Sequence, residues 1–143
     1  MIEALLRAGF LFDIEILESL LPALRRLAGG HPRFATARNL DSAALAPDCA
    51  RRIFELAESS GATRERRLAH YPSDVTSGRT GSGLDSDLGR RIAGDARTAY
   101  AALDRAWRVL ADFSPTADRT LAASDVATAA EAVKRLRALV AEG

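Results

Sequence analysis

Six apolar residues near the start of the chain, Phe10, Ile14, Leu17, Leu21, Leu24 and Ala28, follow one another at steps of four and three. That step is the period of an α-helix, and it sets all six on one face. Leu5, Phe12, Ile16, Leu20 and Leu27 widen the stripe well past half the circumference. A helix this apolar is either central in its fold or covered by a partner. Pro22 predicts a kink in it, and Gly9 is a second soft point. Gly29-Gly30-His31-Pro32 ends it with turn chemistry.

The same period organises the rest of the chain. Residues 33–46 read as a connection with a short helical turn. Pro47 suits the first turn of a second helix, with Asp48 at its positive end and Gly61 as its stop. Ala50, Ile53, Phe54 and Ala57 form its apolar face, and Thr63 to His70 forms a short extra helix closed by Tyr71-Pro72. Residues 72–86, rich in Gly and Ser, read as a flexible loop. A third helix of about 27 residues follows, with Leu88, Ile92, Ala96, Ala99, Leu103, Ala106, Leu110 and Phe113 in one stripe. Ser124 caps a last helix striped by Val126, Ala129, Val133, Leu136 and Val140. No strand pattern interrupts this order. The expectation is an all-α antiparallel four-helix bundle, one domain over residues 1–143, with a short extra helix and a Gly/Ser-rich loop.

Charge narrows the function. The net charge is +1, with Lys134 the only lysine. So balanced a chain gives no general argument for nucleic acid. Residues 25–70 do hold nine arginines against five acids. A nucleic-acid surface there would use Arg25, Arg26, Arg33, Arg38, Arg64, Arg66 and Arg67. Alanine and arginine richness suggests a GC-rich bacterial source. The start, Met1 to Arg7, has no basic leader region, and no uncharged run approaches the ~20 residues of a membrane span, so the expected setting is the cytoplasm.

Motifs for chemistry are sparse. Cys49 is the single cysteine and reads as a small buried hydrophobe. Glu-x-x-His, the inward-facing pair of carboxylate-bridged metal bundles, does not occur, and His31 and His70 lie far apart. No metal or cofactor is expected. Ser77 to Gly83 resembles a phosphate-cradling turn, but neither a preceding strand nor a Gly-Lys-Ser/Thr ending accompanies it.

One segment points to an enzyme. Arg64-Glu65-Arg66-Arg67-Leu68-Ala69-His70 resembles the Arg-x4–6-His motif of the HEPN superfamily of helical ribonucleases. The resemblance implies metal-independent RNA cleavage, with Arg64 stabilising phosphate charge and His70 acting in acid–base chemistry. A histidine titrates near neutrality and an arginine grips phosphate in a fork. Glu65 stands where the family commonly has Asn or Asp.

The leading expectation is instead a non-enzymatic interaction module: a small subunit, an adaptor or a homo-oligomer. Its contact residues are expected to be Phe10, Phe12 and Ile16 of the first helix, with Tyr100 and Trp107, seven apart on the third.

Overall fold

A computed structural model describes residues 2–30, 32–70, 86–111 and 119–142, with the side chains of 32 and 61–70 outside the description. Four long helices account for almost all of it: α1 Ala4–Ala28, α2 Ala37–His70, α3 Ser86–Ala111 and α4 Arg119–Glu142. A 3-10 turn, Pro32–Phe34, joins α1 to α2, and no strand occurs among the described residues.

Each helix packs against two neighbours, in the ring order α1–α2–α3–α4 and back to α1. The register shows the direction. Gly9 faces Leu56 while Asp13 faces Arg52, so each step up α1 is a step down α2. Glu18 meets Arg137, while Arg25 and Ala28 lie beside Ala123, Val126 and Ala127, so α4 also runs against α1. Asp95 pairs with Arg135 and Arg105 with Asp125, which sets α3 against α4. The expected antiparallel four-helix bundle is present.

The elements begin and end where local chemistry allows, and four boundaries differ from the sequence reading. Helix α2 starts at Ala37, not at Pro47. Thr36 is its cap: Thr36 Oγ1 accepts the Asn39 N–H at 3.2 Å and the Thr36 carbonyl accepts the Leu40 N–H at 3.0 Å. The amide of Asn39 also donates to the Phe34 carbonyl at 2.8 Å, tying the 3-10 turn to the new helix. Pro47 is therefore interior and buried. Gly61 does not stop the helix, which runs on to His70. The residues after it, Ala62 to His70, are mostly strong helix formers, and one interior glycine costs only about 1 kcal/mol. The separate short helix is thus the end of α2. Helix α4 begins at Arg119 and makes Ser124 interior, because Ala122 already occupies the buried stripe. Helix α1 continues through Pro22. That proline is exposed, so the helical hydrogen bond it cannot donate is lost on the solvated side. The expected loop over 72–86 falls, except for Ser86, outside the described residues.

Gly30 closes α1 with a φ of +82°, a conformation that suits glycine, and its N–H donates to the Leu27 carbonyl at 3.0 Å. A Cβ there would lie 2.9 Å from Cδ of Arg119, so the bare backbone also admits the start of α4.

The core divides unequally. Helix α1 supplies the bulk with Phe10, Ile14, Leu17, Leu21, Leu24 and Leu27. The other three helices meet largely through small residues: Ala43, Ala46, Ala50 and Ala57 of α2, Ala96, Ala99, Ala102 and Ala106 of α3, and Ala122, Ala129 and Ala132 of α4. Alanine seams let helix axes approach closely.

Candidate functional site: the outer face of α1

Arginine closes every seam of the ring. Arg52 Nε donates to Asp13 at 3.1 Å between α2 and α1. Arg97 lies 5.1 Å from the ring centre of Phe54 between α3 and α2. Arg105 and Arg135 hold Asp125 and Asp95 at 3.2 and 3.0 Å between α3 and α4. Arg137 grips Glu18 in a fork, 2.8 and 2.6 Å, between α4 and α1. That hydrogen bonding holds the Glu18 carboxyl below its ordinary value and pushes Arg137 up. Five of the arginines are therefore structural. Arg25, Arg26, Arg33 and Arg38 remain exposed around the end of α1 and the start of α2, and Arg33 stacks on Phe34 at 4.7 Å.

One of these seams holds a group the sequence reading missed. Asp13 is buried at the α1–α2 contact, and Arg52, which pairs with it, also donates to Cys49 Sγ at 3.2 Å. Burial pushes the Cys49 thiol up, against the opposing pull of Arg52. That shift favours the protonated thiol, and Cys49 packs as a small core residue. The signal for Asp13 was its place in the sequence: it falls one residue before Ile14, at the margin of the buried stripe rather than opposite it.

The expected contact residues separate into two groups. Phe10 has no exposed surface and belongs to the core, so it is corrected from contact residue to packing residue. The four-three step that reveals the stripe places it there. Tyr100 and Trp107 are half-buried against the core, on the edge of α3 from which Arg97 reaches α2. Phe12 stands out at 65 % exposure, and Leu5, two turns earlier on the same side, at 89 %. Ile16 is half-buried next to them. Leu45 of α2, 52 % exposed, falls by the antiparallel register opposite the level of Leu20 and extends the apolar surface across the seam. This outer face of α1, with Leu5, Ala8, Phe12 and Ser19 exposed along it, is the candidate site.

Other surfaces are less distinctive. A groove of about 590 Å³ between α3 and α4 is lined by Arg91, Asp95, Thr98, Arg135, Leu139 and Glu142, whose opposite charges largely offset one another. A smaller one between α1 and α4 is bordered by Glu18, Arg25, Glu131 and Lys134. Leu121, near the start of α4, is also exposed. Among the described residues no three His, Cys, Asp or Glu side chains gather as metal ligands, and no helix is long and apolar enough to cross a membrane.

Arg64 and His70 occupy one continuous helix, and their side chains lie outside the described residues. Six positions along an α-helix are about one and two-thirds turns, so these backbone positions do not share a face. The side chains of Arg66 and Arg67 likewise lie outside the described residues. In comparisons with known proteins, no family model, no curated protein and no solved structure matches the chain.

Proposed function

We infer that this protein is a helical protein–protein interaction module, a subunit, adaptor or homo-oligomer, whose contact surface is the outer face of α1. The observation that carries the reading is the pair Leu5 and Phe12. Both are large, apolar and mostly exposed, and they sit seven residues apart on one face of the helix that also supplies the bulk of the core. Burying an apolar side chain of this size contributes about 1.5–3 kcal/mol, so leaving two in water forgoes a substantial gain unless a partner covers them. Ile16 lies half-buried next to them, and aromatic residues such as Phe12 are favoured at contact cores. The setting this reading assumes is a bacterial cytoplasm.

A photoreactive amino acid placed at position 12, in the cells that make the protein, tests it. A second protein chain should become attached from position 12, and none from the exposed control position Thr128 on α4. Equal labelling from both, or none from position 12, would sink the reading.

A further inference from the structure

We propose that the outer face of α1 is covered by a second copy of this chain, paired antiparallel about a two-fold axis at Ser19; this rests on the outer face of α1 being a contact surface. Leu5, Phe12, Ser19 and Arg26 follow at seven-residue steps and are all exposed, so they run in one line down that face. From Ser19, Phe12 lies seven residues toward one end of the helix and Arg26 seven toward the other. A two-fold axis at Ser19 lays Arg26 of the second copy on Phe12 and repeats the contact by symmetry.

The chemistry of that contact is one the chain already uses. Arg33 stacks on Phe34 at 4.7 Å and Arg97 on Phe54 at 5.1 Å. Glu15, one turn from Phe12 toward the axis, comes within reach of the same guanidinium. Glu15 has only a 4.0 Å contact with Arg137 inside its own chain, and Arg26 takes part in no ion pair among the described residues. Both are thus free to pair across the axis. A parallel pair would instead set Glu15 beside Glu15 and Arg26 beside Arg26, which repel. At the axis, Ser19 is small and its hydroxyl donates back to the Ile16 carbonyl at 2.6 Å, so two helices can approach closely there. One helix face is a small interface, which places the pair among weak, exchanging assemblies.

Sedimentation of the full chain from micromolar to millimolar concentration tests the pairing. A concentration-dependent dimer is expected. Glu15→Arg and Arg26→Glu should each weaken it about tenfold, and the two together should recover part of that loss, because the exchange restores the ion pair but not the stacking on Phe12. Oxidised Ser19→Cys should form a disulfide-linked dimer, while Ala8→Cys, about 16 Å along the helix from the axis, should not. Cys49 is buried and does not compete. A chain that stays monomeric throughout overturns the self-pairing and leaves the contact-surface reading to a different protein. A dimer that neither responds to the charge exchange nor links at Ser19 uses another face and overturns this pairing, while the position-12 attachment decides the contact-surface reading separately.

Discussion

Helices α1 and α3 are of nearly equal length and both sit in the ring, yet they are built on opposite plans. In α3 the buried stripe is mainly alanine, relieved by Ile92, Leu103 and Leu110, and the outward side carries Arg90, Gly94, Arg97 and Arg108. In α1 the buried stripe is phenylalanine, isoleucine and leucine, and the outward side is still apolar at Leu5, Ala8 and Phe12. Every large apolar residue of α3 is at least partly buried in the bundle, whereas Leu5 and Phe12 of α1 are left mostly in water. The apolar excess on the outer side of α1 is the feature on which the proposed contact surface rests, whereas α3 leaves no large hydrophobic side chain exposed.

This contrast predicts that the two helices fail in opposite directions. Leu17→Ala empties a fully buried site on α1 and should cost about 2–5 kcal/mol in denaturant unfolding. Ala99→Leu, on the alanine seam of α3, should cost about 1–3 kcal/mol by overpacking, and Ala99→Gly less. If shrinking α1 and enlarging α3 were equally harmless, the contrast would collapse.

Asp13→Ala should cost about 1 kcal/mol, since the half-exposed Arg52 can turn to water once its partner is removed. The α1–α4 seam adds a pH dependence. Glu18 is held below its ordinary value of 4.5 by the hydrogen bonds from Arg137. Its contribution is therefore fully present above that value and is lost as pH falls through the lower folded value. Thermal melts of the native chain and Glu18→Gln should differ by a constant amount near neutrality and converge in acid. The smallest effect is expected at the outer face: Phe12→Ser should move stability by no more than about 0.5 kcal/mol. A large loss there would make Phe12 a folding residue and erase the distinction between the two helices.

The bundle and its four stripes were legible because a four-three period leaves little alternative for a chain without strand patterns. The boundaries were less so. Pro47 and Gly61 look like a start and a stop, but the Thr36–Asn39 cap and the helix formers after Gly61 outweigh them. Phe10 and Phe12 differ by two positions and 200° of helix, so assigning them both to one contact group ignored the period that separates core from surface. The pairing of Asp13 with Arg52 was illegible for another reason. Partners 39 residues apart meet only through the register of two helices, which no local pattern records.

The arginine seams carry a last consequence for regulation. Acetyl and ubiquitin groups are transferred to amines, and a guanidinium does not accept them. The cations joining neighbouring helices, Arg52, Arg97, Arg105, Arg135 and Arg137, are therefore beyond the reach of such enzymes. Lys134 is the single lysine side chain they could act on, and it stands exposed on α4 beside the groove shared with α1.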